Sequence, residues 1–282
     1  MIVVTAATGH LGRLVVTSLL DRGVPANEIV AAVRNPAKAA DLGVEVREAD
    51  YGKPETLAAA FAGADDVLLI SSNEPGQRFT QHRNAVDAAK AAGVRFIAYT
   101  SVLRADTTTL GLAVDHKATE EYITASGIPH SFLRNGWYLE NYTENFAPAL
   151  EHGALLGSAK DGLIAAAARA DYAAAAAAVL ADDRNRDEVY ELVGDTPFTM
   201  SALAAELGAQ SGKEIAYRDL PKEDYRAALI AAGLPEGYAE LLADSDVGIA
   251  NGELADDRTH LVDLIGRPTT SLADAVAVAL KG

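Results

Sequence analysis

The sequence predicts an α/β protein: a doubly wound parallel sheet with a smaller, mostly helical C-terminal cap. Three observations carry this. Short β-rich runs alternate with helix-patterned segments along the first half. A glycine turn separates the first run from the first helix pattern, and after Arg134 the alternation gives way to a mainly helical rhythm.

Taken in order, residues 2–5, 29–33, 44–46, 67–71, 96–100 and 130–133 read as strands. Between them 11–21, 36–41, 55–61, 80–92 and 117–125 read as helices. Asn35 before Pro36 is a good N-cap with proline at the first helical position. Gly93 and Gly127 stand where helix stops belong. Beyond Arg134, helices are expected near 139–150, 169–183, 201–211, 222–233 and 256–265, with short strands near 188–193 and 215–218. The expected division is 1–150 for the sheet domain, to which the chain returns near 163–183, and 184–282 for the cap.

Composition removes whole classes of function. The 282 residues carry a formal net charge of −16, which opposes nucleic acid and anionic membrane as partners. There is no cysteine, so disulfides, thiolate catalysis and Cys-type metal sites drop out. The six histidines show no ligand spacing, and no metal is expected. Residues 163–180 form the longest apolar stretch, but Arg169 and Asp171 interrupt it; it reads as a buried helix. Strand-like residues begin at Ile2 with no basic leader, so no signal peptide is expected and the protein is placed in the cytoplasm.

The turn reads "TAATGHLG", with Ala6, Gly9 and Gly12 at the three positions of a dinucleotide-binding G-x-x-G-x-x-G. An apolar strand precedes it and an amphipathic helix, Leu11-Leu14-Val15-Leu19, follows. That helix would aim its free N–H groups at a pyrophosphate. The plain alternative is an ordinary strand–helix turn. At Ala6 a negative φ costs little, whereas a positive φ costs roughly 1 kcal/mol or more and shifts the turn. We expect negative φ at Ala6, a turn that still binds, and Gly9, facing the pyrophosphate, as a more demanding position than Ala6. At the end of the second strand an NAD site places an acid about 20 residues beyond the turn. Here stand Arg34 and, one turn later, Lys38. A guanidinium suits a 2′-phosphate, so NADPH is expected over NADH. The alternative is a solvated strand-end arginine.

Several motifs, "VRNPAKA", "ADYG", "LLISSNEPGQR", "HRNAVDAAKAAGVRFIAYTS", "LRNGWYLENY", "ARADYA" and "DSDVG", together resemble the bacterial NAD(P)H:quinone oxidoreductases of type 2. These form part of the NmrA-like branch of the atypical short-chain dehydrogenases/reductases. The resemblance runs essentially end to end and implies a Rossmann domain with a small C-terminal cap. It puts the cofactor turn at Ala6, Ala7, Thr8, Gly9, His10 and Leu11, where Ala6 is a departure. It implies Arg34 at the 2′-phosphate and Ser72, Asn73 and Glu74 beside the ribose. Tyr138, Leu139, Glu140 and Asn141 match the loop next to the nicotinamide, and Arg169 a cofactor-contacting arginine. The 72–74 loop has a helix cap as its alternative, and Arg169 a local pair with Asp171. Asp50 either hydrogen-bonds the adenine or caps the following turn.

The Tyr-x-x-x-Lys pair of ordinary members of the wider group is absent: Tyr99 is followed four residues on by Leu103, and Tyr122 by Ser126. Alcohol oxidation and keto-sugar epimerisation therefore lack their acid–base machinery. Quinone reduction needs less, because a hydroquinone anion is a phenolate with a pKa near that of tyrosine, about 10. The expected reaction is hydride transfer from NADPH straight to a small-molecule quinone, without flavin. Trp137, Tyr138 and Tyr142 are candidates to line the acceptor slot. Tyr138, Tyr142 and Phe146 share helical spacing, for which a core stripe is the plain reading. His116 is a candidate proton donor, with simple surface placement as the alternative. Two other functions stay open: a non-enzymatic NADP(H)-binding redox sensor, and a reductase of another conjugated acceptor such as a triphenylmethane dye. A homodimer is likewise open.

Overall fold

The computed structural model describes residues 1–74 and 76–281; Pro75, inside one of the motifs above, and Gly282 lie outside them. The elements in chain order are β1 (Ile2–Thr5), α1 (His10–Asp21), β2 (Ile29–Val33), β3 (Glu45–Glu48), α2 (Pro54–Ala60), β4 (Asp66–Leu69) and α3 (Arg78–Ala91). There follow β5 (Phe96–Val102), α4 (Ala113–Ser126), β6 (His130–Asn135), α5 (Glu140–Thr143), α6 (Ala147–His152), β7 (Ala154–Gly157) and α7 (Arg169–Ala181). The chain ends with β8 (Val189–Leu192), α8 (Met200–Ser211), β9 (Ala216–Asp219), α9 (Lys222–Ala231), α10 (Glu236–Ala250), α11 (His260–Ile265) and α12 (Leu272–Ala279).

Seven parallel strands form the main sheet in the order β3-β2-β1-β4-β5-β6-β8. The strand order reverses between β1 and β4, which opens a crevice at their carboxyl ends. One face buries Val4, Ala31, Val15 and Leu19 against Ala173 and Ala176 of α7. The alanines of α7 keep its side chains short, so α1 lies close against it. The other face packs Val3, Val30 and Tyr99 against Leu57, Val86 and Ile123 from α2, α3 and α4. This is the doubly wound arrangement that alternation of strand and helix predicts.

A third core joins Leu103, Leu139 and Phe146 to Phe198, Leu203 and Ile249. Around it stand the β7–β9 pair, α6, α8, α12 and the α9–α10 hairpin. The 184–282 segment does not stay within this second lobe. Its β8 pairs with β6 in the main sheet, and its α11 packs on α7.

Several expectations need correction. The helix expected at 139–150 is broken into α5 and α6 by Pro148, which has no N–H to donate and is tolerated only in a first turn. The Tyr138-Tyr142-Phe146 stripe therefore does not exist on one helix: Tyr138 packs on the core beneath α1 and α7, while Tyr142 and Phe146 join the second lobe. The helix expected near 256–265 is only α11, and α10, α12 and β7 were not foreseen. Asn35 does cap the short 3-10 helix that follows, its side chain accepting from Ala37 N at 3.1 Å.

Candidate cofactor and active site

A cavity of about 420 Å³ opens at the β1/β4 crevice, walled by the chain just after β1, β2, β3 and β4. Its floor is the turn. Gly9 N donates to Ala6 O at 2.9 Å, and α1 starts with no side chain capping its first amides, so the positive end of the helix faces the cavity. Gly12 is where glycine is indispensable: a Cβ there would lie 2.5 Å from Ala6 O and 2.7 Å from Ala7 Cα. At Gly9 a Cβ would come no nearer than 3.2 Å to Ala6 O, and φ is −73°. Gly9 thus demands glycine less than Ala6, whose φ is positive.

Ala6 overturns the expectation directly. Its φ is +48°, in the left-handed region that favours glycine. The reason is tertiary: its carbonyl must accept from Gly9 while Ala7, buried, donates to Ala32 O on β2.

Thr8, Gly9, His10 and Leu11 line the floor together with Ala6, and Ala7 sits beneath it in the core. Arg34 and Lys38 stand on one rim, Ser72, Asn73 and Glu74 on the other, and Asp50 at the end. Arg34 is not simply solvated: its Nη1 donates to Glu74 Oε1 at 2.9 Å. Asp50 caps its own turn through Gly52 N at 2.9 Å and also lines the cavity. The 72–74 loop does not cap α3, which has no side-chain cap. Instead α3 holds the loop. Arg78 Nε donates to Ser72 O at 2.6 Å, His82 Nε2 accepts from Ser72 N at 2.8 Å, and Gln81 bonds Ser72 and Glu74.

Sequence reasoning missed Tyr51 and Gln81 as lining residues, and Gln81 and His82 as supports of the loop. The signal was present: Tyr51 lies within "ADYG", and His82 opens the motif that runs into β5.

The remaining candidates gather elsewhere. Tyr138 is tied to Ala167 across a β-bridge, with Arg169 Cζ 5.3 Å from its ring centroid. Glu140 accepts from Arg169 N at 2.9 and 3.1 Å, capping α7. The Arg169 guanidinium pairs with Glu144, not Asp171, and Asp171 pairs with Arg267 at 2.7 Å. Leu139 is buried and Asn141 exposed. Trp137 and Tyr142 pack on the second-lobe core, with Tyr142 edge-on to Phe198. Burial raises the phenol pKa of Tyr138 and Tyr142, so both stay protonated. Among the buried polar atoms without a hydrogen-bond partner in the described residues are Tyr142 Oη and Asn135 Oδ1, the latter at the end of β6 beside Tyr138.

His116 is neither on the surface nor a cation. It is buried with Nδ1 2.8 Å from Tyr99 Oη, and burial beside the Arg78 charge drives its pKa down to about 3. Burial favours the neutral imidazole near pH 7. The polar face of α4 pairs inward: His116 with Tyr99, Thr119 with His82 at 3.0 Å, and Glu120 with Arg134 at 2.7 Å. Among the described residues no cluster of His, Asp and Glu could hold a metal, and no helix is long and apolar enough to cross a membrane.

A seven-stranded parallel sheet, a glycine turn at its first strand and an uncapped helix N-terminus facing the crevice define a dinucleotide-binding Rossmann protein. The chain belongs to the NmrA-like family, which matches residues 1–262. It is 55% identical to Quinone oxidoreductase 2 of Escherichia coli strain K12 over 280 residues, 98% of each chain. Its fold is similar to the crystal structure of the NADPH-dependent quinone oxidoreductase from E. coli complexed with NADPH, at 54% identity and TM-score 0.96, covering 99% of this chain and 100% of that one. It is also similar to the Citrobacter sp. triphenylmethane reductase complexed with NADP(H), at 39% identity and TM-score 0.95, with 99% and 100% covered. The resemblance seen in the sequence motifs is borne out.

Proposed function

We infer that this protein is an NADPH-dependent quinone reductase. The observation that carries the reading is the 55% identity over 98% of both chains to Quinone oxidoreductase 2. The residues of the cavity fit the cofactor. Gly12 lets α1 start tight against the backbone of Ala6 and Ala7, the first amides of α1 are uncapped, and Arg34 stands at the rim for a 2′-phosphate. We place the nicotinamide end toward Tyr138 and the unpaired Asn135 Oδ1, an acceptor suited to a carboxamide N–H.

When bound, NADPH supplies the hydride, and no flavin or metal takes part. The chain supplies position and dryness. Amides of α1 hold the pyrophosphate, Arg34 prefers NADPH over NADH, and the Tyr138–Arg169 contact fixes the loop on which the acceptor slot depends. Trp137 and Tyr142 give that slot its aromatic wall. The hydroquinone anion takes its proton from water, since its pKa of about 10 makes it basic enough at neutral pH. Neutral His116 holds no proton it can release there. The reaction proceeds in the cytoplasm.

The test is NADPH oxidation by purified protein with a panel of quinones and cationic dyes, alongside an absorbance spectrum for flavin. Turnover with quinones and a flavin-free spectrum are expected. Tight NADP binding without turnover on any acceptor would turn the assignment to a redox sensor, and turnover on dyes alone to a dye reductase.

A further inference from the structure

Arg34 and Glu74 belong to opposite rims of the cavity, one just past β2 and the other in the loop after β4. Their side chains meet across it at 2.9 Å. Glu74 is held in place from behind. Its Oε2 accepts from Gln81 Nε2 at 2.7 Å, and Gln81 is only 9% exposed and bonded to Ser72 at its other end. Arg78 and His82 fasten the backbone of Ser72 on either side. The carboxylate is therefore a fixed anion on the guanidinium.

Resting on the cofactor reading above, we propose that Glu74 is a specificity-determining residue that occupies Arg34 in place of the 2′-phosphate and narrows the preference for NADPH over NADH. A phosphate arriving at Arg34 meets a like charge already bound there. The ribose 2′-hydroxyl of NADH meets no such repulsion, and a carboxylate is the acceptor it needs. The Arg34 and Glu74 side chains are 67% and 44% exposed, so the pair is weak and yields to phosphate. The result is a graded weakening of NADPH binding, not a block.

The experiment is calorimetric titration of the full-length protein with NADPH and with NADH, for the parent, Glu74→Gln, Glu74→Ala, Arg34→Ala and the Arg34→Ala/Glu74→Gln double variant. Both Glu74 variants should bind NADPH about tenfold more tightly and NADH no more tightly, with the gain shrinking as salt is raised. In the double variant the gain should vanish, because Glu74 acts through Arg34. An unchanged ratio of the two affinities, or equal losses for both cofactors, would overturn the proposal. Arg34→Ala separates the two layers. If it leaves NADPH affinity intact, the phosphate assignment itself fails; if it erases the preference while the Glu74 variants do not widen it, only the role of Glu74 fails.

Discussion

Replacing Ala6 with glycine should stabilise the protein. An L-residue at φ +48° pays about 1–2 kcal/mol relative to the right-handed region, a cost glycine does not bear. Glycine returns part of that through its larger backbone entropy in the unfolded chain, about 0.5–1 kcal/mol. The net gain is about 0.5–1 kcal/mol. With an unfolding entropy of about 2.1 cal/mol/K per residue, a chain of 282 residues should melt about 1–2 °C higher. The gain is small beside the scatter of thermal scans, so the better assay is urea denaturation, in which the midpoint rises at constant slope. The turn keeps its Gly9 N to Ala6 O bond, so NADPH affinity should stay within about tenfold, roughly 1.4 kcal/mol. Destabilisation would refute the strain argument. A gain in NADPH affinity beyond tenfold would show instead that the methyl obstructs the pyrophosphate.

Three other expectations follow from the same geometry. Arg34→Ala should weaken NADPH far more than NADH in paired titrations, since only the former carries a phosphate for the guanidinium. Gly12→Ala should destabilise by about 1–3 kcal/mol in urea and weaken NADPH together with it, because its Cβ would lie 2.5 Å from a backbone oxygen that cannot swing aside. His82 and His116 are buried as neutral rings, with pKa values near 3 in the fold against 6.5 ordinarily. The unfolded chain therefore binds more protons between these limits. Stability should be full above pH 6.5 and fall as pH drops toward 3, by up to about 1.4 kcal/mol per pH unit for each ring. His116→Ala should flatten part of that slope while leaving turnover within about tenfold, whereas a true general acid contributes about 10²- to 10⁴-fold.

The residues show why some of this could be read from the chain and some could not. The strand 29–33 is legible to the residue because five apolar side chains are buried on both faces and flanked by Glu28 and Arg34. The cofactor cavity is legible because its walls are loops that directly follow strands, so motif order maps onto space. By contrast α10 buries Ser245, Asp246 and Gly248, which breaks the apolar period that would have announced it. In α4 the inward face holds His116, Thr119 and Glu120, polar groups whose partners lie on β5, α3 and β6. No local pattern distinguishes these from a solvated face. The backbone of Ala6 is set by β2 and by Gly9, not by its own side chain. The break between α5 and α6 was available in Pro148, but helical spacing of the aromatics on either side masked it.

Initial-rate kinetics with NADPH and a quinone varied together test the central claim most directly. Hydride passing straight between them requires both to be bound at once. The account predicts intersecting reciprocal lines in protein free of flavin. Parallel lines, the sign of an enzyme reduced in one half-reaction and reoxidised in the next, would contradict it.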